Sequence, residues 1–212
     1  MIKSISIIYP VFNEEKRLGK TFLDIIKFEQ SNKLLKKEYI FVNDGSSDQT
    51  LSVIKQKFKN NKRVKVVSYN KNMGKGYALK RGVQIAKNDW VLTTDADCSV
   101  SNFQLLKWIQ KKYLNQNDLI YFGSRNHPSS VVKKKTLRKI VGIIFKFSIR
   151  LFFQIKISDT QCGFKLYKLN IAKKIFKKIL IYDYMHDIEI CLITKNAITI
   201  PINQITSASV QR

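Results

Sequence analysis

The sequence predicts an α/β fold: a mainly parallel central sheet with helices on both faces. Two observations predict it. Short apolar runs rich in Val, Ile, Tyr and Phe alternate with longer segments of helical period, joined by short links, as in βαβ units. Polar, acid-bearing clusters follow three of the apolar runs, at residues 10–14, 43–48 and 95–97. In a parallel sheet these clusters fall together outside the carboxyl ends of the strands, where such sheets bind ligands. With 212 residues, 44% of them hydrophobic, the chain is expected to form a single domain with a substantial core.

Residues 5–9, Ile-Ser-Ile-Ile-Tyr, read as a buried first strand closed by Pro10. A helix is expected from Asn13 or Glu14 to about Gln30, with Leu18, Phe22, Ile25 and Ile26 at helical spacing. Residues 39–42 are the second strand. They run into Asn43-Asp44-Gly45-Ser46-Ser47-Asp48, a turn whose last Asp suits capping of a helix over 49–58. Residues 64–69 are a third strand, and the glycine-bearing loop 70–76 leads into a helix over 77–86. Residues 90–94 are the fourth strand, 102–114 a helix and 119–123 the fifth strand. Past a loop at 126–130, a polar turn from Ser158 enters a short strand ending at Tyr167. Helices are expected over 172–179 and 186–195, and a last strand over 198–202.

The fourth strand leads into Asp95-Ala96-Asp97-Cys98-Ser99. In extended chain, residues i and i+2 point to one side, so Asp95 and Asp97 are expected to project together with small Ala96 between them. Two carboxylates so placed repel unless a cation lies between them. Mg²⁺ is commonly shared between one or two carboxylates and substrate phosphates. The same residues also suit an Asx turn closing a strand. Three strand ends that bring acids to one edge favour the cation site.

The net charge of +24 calls for an anionic partner: nucleic acid, an acidic membrane surface or a phosphorylated substrate. A lysine-rich coding bias would also scatter lysines. A nucleic-acid groove interleaves basic residues with exposed aromatics and does not gather carboxylates at one edge, so no nucleic-acid partner is expected. Cys98, Cys162 and Cys191 are odd in number and form no CxxC pair, which argues against a zinc site or disulfide framework and for a reducing, cytoplasmic setting. The N-terminal residues lack a secretory-leader pattern, and no apolar stretch of about 18 residues is uninterrupted. Lys133-Lys134-Lys135, Arg138 and Lys139 lead into an apolar stretch in which Lys146, Arg150 and Gln154 share one stripe. The amphipathic helix expected over 136–157 suits a membrane interface with its lysines on anionic lipid phosphates. A core helix with long side chains reaching outward fits the same pattern.

Pro10-Val11-Phe12-Asn13-Glu14, Asn43-Asp44-Gly45-Ser46-Ser47-Asp48, Gly74-Lys75-Gly76 and Asp95-Ala96-Asp97, in that order, resemble the family 2 glycosyltransferases, with their Rossmann-like, nucleotide-sugar-binding GT-A fold. Asp159-Thr160-Gln161-Cys162-Gly163-Phe164-Lys165 is similar to the dolichyl-phosphate β-glucosyltransferase branch. The resemblance covers nearly the whole chain. It implies a nucleotide-sugar-binding half over 1–125 and an acceptor-side half over 126–212. The implied reaction is inverting and metal-dependent: a hexose, glucose from UDP-glucose first, passes to a dolichyl or undecaprenyl phosphate at the cytoplasmic face of a membrane. GDP-mannose as donor and a soluble or cell-wall glycan as acceptor stay open.

The resemblance also assigns residues. Pro10, Phe12, Glu14, Val42, Asp44, Lys75, Asp95 and Ala96 would bind the nucleotide sugar. Asp95 and Asp97 would hold Mg²⁺ or Mn²⁺, and Arg125, Lys165 and Asp187 would bind the acceptor. Asp97, Arg125 and Asp159 would be catalytic, Asp159 as a base or as a group orienting the acceptor; capping of its turn is the plainer role. Lys75 is equally at home as a solvated lysine at a helix start. Asp187 and Glu189 match a further acidic pair that could position sugar hydroxyls, whereas His186 reads as structural. Ser99 stands where mannose synthases carry a Gln, and Asn43 where many relatives carry an Asp. Eukaryotic glucosyl relatives have an N-terminal membrane anchor, in whose place the amphipathic helix or a membrane partner is expected.

Overall fold

The computed structural model describes residues 2–115, 118–131, 159–183, 185–194 and 198–201, the last four as backbone. The amphipathic helix expected over 136–157 lies outside them. In chain order the elements are β1 (Ser4–Val11), α1 (Leu18–Ser31), β2 (Lys36–Asp44), α2 (Thr50–Lys57), β3 (Val64–Tyr69), α3 (Lys75–Ile85), β4 (Trp90–Thr93), α4 (Phe103–Gln110) and β5 (Ile120–Ser124). They are followed by β6 (Lys165–Lys168), α5 (Leu169–Lys178), α6 (His186–Ile193) and β7 (Ile198–Pro201). The seven strands form one sheet in the order β3-β2-β1-β4-β6-β5-β7. β1 pairs in parallel with β2 and β4, and β2 with β3. β6 runs antiparallel to both β4 and β5, and β7 is parallel to β5.

Strand period two divides the core. Ile5, Ile7, Tyr9 and Val11 of β1, with Tyr39 and Phe41 of β2, face Leu18, Phe22, Ile25 and Phe28 of α1 and Leu105 and Trp108 of α4. Ile8, Ile40, Val42 and Val91 belong to the opposite face, with Ala78, Leu79 and Val83 of α3, Ala172, Ile175 and Phe176 of α5, and Ile188 and Ile190 of α6. Both sides of β1 and β2 are covered, which is why these strands read as unbroken apolar runs. At Gly82 an added Cβ would lie 2.5 Å from Ile8 Cγ2, so α3 seats closely on β1.

Several expected boundaries move, each for a local reason. α1 begins at Leu18 rather than Asn13 or Glu14. Asn13 is left-handed, with φ 54°, and its Oδ1 accepts the Ser47 amide at 2.9 Å, while Glu14 N donates to Thr50 Oγ1 at 2.7 Å. These bonds tie the end of β1 to the loop after β2 and outweigh the local helix signal. α3 begins at Lys75 rather than Tyr77, with Gly74 at φ 95° as its N-cap. α4 stops at Gln110 rather than Leu114, just before left-handed Lys112. α5 starts at Leu169, directly after β6, rather than at Ala172. The N-cap of α2 is Gln49 rather than the expected Asp48; Asp48, one residue earlier, still accepts the first helical amide, that of Thr50, through Oδ1 at 2.9 Å.

Candidate active site

The loops after β1, β2 and β4 and the start of α3 enclose a cleft of about 430 Å³. Pro10, Phe12, Glu14, Asp44, Lys75, Asp95, Ala96 and Asp97 line it, as the sequence led us to expect. Val42 does not; it is fully buried in the core. Asn72, Gly74 and Asp183 also line the cleft. Gly74 opens the expected Gly74-Lys75-Gly76 motif and Asn72 lies in the loop just before it, but Asp183 comes from the link between α5 and α6, and no sequence pattern marked it.

β4 ends at Thr93, so the two aspartates sit in the turn beyond it and not on the strand itself. Asp95 is half-buried and Asp97 is exposed. The turn is pinned from below, where Thr21 Oγ1 donates to Ala96 O at 2.5 Å. Asp97 Oδ1 accepts the Ser99 amide at 2.9 Å, so the Asx turn and a ligating role coexist in one side chain. Lys75 Nζ lies 2.5 Å from Asp95 Oδ1. Burial works against the charge on Lys75, but Asp95 and Asp187 outweigh it and hold its pKa above the ordinary lysine value. At Gly163 an added Cβ would come within 2.5 Å of Asp95 Oδ2. The glycine is therefore the residue that lets the loop before β6 back onto this carboxylate. A displacement of about 1 Å in a positioned group is worth on the order of 10²-fold in rate. Gly163→Ala is expected to lower turnover by that order with an unchanged circular dichroism spectrum; unaltered turnover would mean that Asp95 needs no fixed position.

Asp44 anchors the glycine loop. Its Oδ1 accepts Met73 N at 2.8 Å, and its Oδ2 accepts Gly74 N at 2.9 Å and Asn72 Nδ2 at 3.1 Å. Gly74 and Gly76 press against the α5–α6 link: a Cβ on Gly74 would lie 2.3 Å from Tyr182 O, and Gly76 N donates to the same carbonyl at 2.8 Å. Across the cleft, Glu14 Oε1 binds Arg17 at 2.6 Å, while its Oε2 is buried without a hydrogen-bond partner. Burial lifts the Glu14 carboxyl above its ordinary pKa; Arg17 opposes the rise and Asp97 adds to it. A buried, unpaired acceptor facing a cleft suits a ligand's hydroxyl or N–H.

Two further predicted groups turn out to be partners. Arg125 Nε and Nη2 bind the two oxygens of Asp159 at 2.8 and 2.7 Å, and Arg125 N adds a third bond at 2.8 Å. Burial disfavours the Asp159 carboxylate, yet the guanidinium holds its pKa below the usual range. Lys165 and Asp187 form a second pair, with side chains 1% and 8% exposed. Lys165 also lies 5.3 Å from the centroid of the buried Phe122 ring, and it is not among the residues that line the cleft. Glu189 is occupied by backbone: it accepts the amides of Leu180 and Ile181 at 2.9 Å. His186 is buried, with Nδ1 2.5 Å from Asp183 O, in keeping with a structural role. The three cysteines are free, and burial pushes each thiol up to about 12, leaving them protonated and unreactive at neutral pH.

Five carboxylates and one lysine line the cleft, a composition that repels a diphosphate unless a cation enters with it. Among the described residues no three His, Cys, Asp or Glu side chains are grouped to hold a metal ion. Asp95 and Asp97 supply two oxygen donors, which fits a hard divalent ion that takes the rest of its shell from water and substrate phosphate.

A mostly parallel sheet with one reversed strand, and an acid-lined cleft outside its strand ends, defines a GT-A-type glycosyltransferase fold. The structure of glucosyl-3-phosphoglycerate synthase from Mycobacterium tuberculosis, in complex with Mn²⁺, UDP-glucose and phosphoglyceric acid, matches with a TM-score of 0.67 at 15% identity, over 95% of this chain and 69% of that one. The chain belongs to glycosyl transferase family 2, which it matches over residues 6–176. Among curated proteins it is 33% identical to a dolichyl-phosphate beta-glucosyltransferase of Dictyostelium discoideum and 30% identical to one of Homo sapiens. These alignments take in 95% and 91% of this chain, which spans 64% and 63% of the relatives' own length.

Proposed function

We propose that the protein transfers glucose from UDP-glucose to a polyprenyl phosphate, with inversion at the sugar carbon, at the cytoplasmic face of a membrane. The observation that carries this reading is the single cleft in which Asp95, Asp97, Lys75 and the unpaired Glu14 Oε2 converge. The names of the curated relatives support the glucosyl donor and the lipid phosphate acceptor.

Each residue then has a task. Glu14 accepts hydrogens of the base or ribose, and Pro10 and Phe12 form the apolar wall beside it. Asp44 acts by fixing the loop at residues 72–74 over the donor. With Mg²⁺ or Mn²⁺ bound, Asp95 and Asp97 would present a Lewis acid to the leaving diphosphate. Lys75 adds positive charge at the same end of the cleft. The acceptor phosphate is largely ionised near neutral pH and attacks without a strong base. Asp159, held ionised and committed to Arg125, serves better to orient the guanidinium than to remove a proton. The rest of the Arg125 fork is the planar donor suited to an acceptor phosphate.

The decisive experiment offers labelled UDP-glucose and GDP-mannose to the protein with a short-chain polyprenyl phosphate, with Mn²⁺ or with EDTA. Transfer from UDP-glucose that stops in EDTA is the expected result; transfer from GDP-mannose alone would reverse the donor assignment. In calorimetry, Asp44→Ala is expected to weaken UDP binding by about 5- to 150-fold, because loss of one buried acceptor leaves the amides of Met73 and Gly74 unpaired, at a cost of about 1–3 kcal/mol. Equal affinity would remove Asp44 from the donor site.

A further inference from the structure

We propose that the link between α5 and α6, with the lysine face of α5, is a docking surface for an anionic lipid bilayer that holds the cleft against the membrane. This deepens the polyprenyl-phosphate reading and rests on it for its purpose, though not for the binding itself. Ala172, Ile175 and Phe176 bury one side of α5, while Lys173, Lys174, Lys177 and Lys178 are exposed, and the helix carries no acid. Four like charges at i, i+1, i+4 and i+5 share one face and repel one another unless an anionic surface meets them. The lysines lead directly to Leu180, 80% exposed, and Ile181, 41% exposed. Single exposed aliphatics are ordinary. Two in succession beside four lysines have the make-up of a lipid-interface contact, apolar atoms toward the acyl boundary and ammonium groups among the phosphates.

The amides of Leu180 and Ile181 and the carbonyls on either side of them are already satisfied. Leu180 N and Ile181 N donate to Glu189. The carbonyls of Lys177 and Ile179 accept from Lys80 Nζ at 3.4 and 3.2 Å, and Tyr182 O accepts from Gly76 N at 2.8 Å. Leu180 and Ile181 can therefore enter the headgroup region without stripping an unpaired amide of its water. The tip also stands at the rim of the cleft, since Tyr182 contacts the Gly74–Gly76 loop and Asp183 lines the cleft wall. A bilayer seated on it would bring an embedded polyprenyl chain's phosphate to the level of the site.

The test places an environment-sensitive fluorophore on Leu180→Cys and, as a control, on Leu34→Cys, which is 94% exposed between α1 and β2. The full chain is mixed with phosphatidylcholine vesicles containing about one third phosphatidylserine, with brominated lipid as quencher. The label at 180 is expected to shift to the blue and be quenched, and the label at 34 to do neither. This readout is specific to the tip and separates it from residues 136–157. Leu180→Asp with Ile181→Asp should lower vesicle partitioning on the order of tenfold or more. Replacing the four lysines by Gln should remove about fivefold per lysine at low salt and little at high salt. The double Asp variant should keep wild-type transfer to a short, water-soluble polyprenyl phosphate and lose it on a long-chain acceptor in vesicles. A label at 180 that stays in water while the protein sediments with vesicles overturns the proposal, as does wild-type partitioning of the double variant. Wild-type protein that docks through the labelled tip but glucosylates no polyprenyl phosphate upholds the surface and sinks the proposed reaction.

Discussion

Asp97→Ala is expected to abolish transfer while leaving the protein folded. The residue is exposed, and its hydrogen bond here is the local one from Ser99 N, so little of the fold depends on it. On the proposed reading, in which Asp95 and Asp97 are the two carboxylate ligands, loss of one removes leaving-group stabilisation worth several kcal/mol, which is about 10³-fold or more in rate. Asp97→Asn separates the two roles of this side chain. An amide oxygen can still accept the Ser99 amide, but it brings no charge to a divalent ion. If ligation is what matters, the Asn variant fails as badly as the Ala variant, and Mn²⁺ binding followed by electron paramagnetic resonance weakens in both. Should Asp97→Asn retain full turnover, the turn and not the ion would be the function of Asp97.

The second large effect is on stability. Lys165 and Asp187 are paired in the interior with almost no solvent contact. Removing one partner strands a buried charge, at a cost of about 3–5 kcal/mol. At about 2–4 °C per kcal/mol for a chain of this size, Asp187→Asn is expected to lower Tm by roughly 6–20 °C. Lys165→Met with Asp187→Leu should recover most of that loss, because an apolar pair of similar volume leaves no charge unpaired. Burial disfavours the Asp187 carboxylate, and Lys165 overrides it, so its pKa is lowered in the folded protein. Its stabilisation is then complete above the unfolded carboxylate value near 4 and is lost as pH falls through the lower folded value. Burial likewise disfavours the Lys165 ammonium, but Asp187 raises its pKa. That contribution is complete below the unfolded lysine value and fades only as pH rises through the folded one. Urea titrations at descending pH should show a steeper acid loss in the wild type than in the Met/Leu variant. Parallel curves would assign acid sensitivity to other carboxylates.

The strands β1 to β5 and the cleft residues at their ends were legible because each depends on a local pattern: an apolar run, then a polar turn. What escaped the sequence depends on distant partners. Helix α1 starts late because Asn13 reaches to Ser47. Asp183 joins the cleft because Tyr182 lies on Gly76, more than a hundred residues earlier in the chain. The expected acceptor groups Arg125, Asp159, Lys165 and Asp187 are not among the cleft's lining residues; they meet as two ion pairs, across 34 and 22 residues, that no spacing rule links. The reversed direction of β6 was equally hidden, since a short strand read from composition carries no arrow.

That reversed strand governs how the protein can be made. β6 fills the gap between β4 and β5, but its first residue follows the end of β4 by 72 positions, from Thr93 to Lys165. At about 5–20 residues per second on the ribosome, β4 waits roughly 4–14 s for its neighbour. During that interval β1 to β4 can assemble into a parallel half-sheet, with Val91 and Leu92 on an open edge and β5 already synthesised beside it. Nascent chains at this stage expose a bare strand of the kind that pairs with other chains. Shelter of the β4 edge until residue 168 emerges is therefore expected to raise the yield of folded protein, and overproduction to fill inclusion bodies with chains stalled before β6 is inserted.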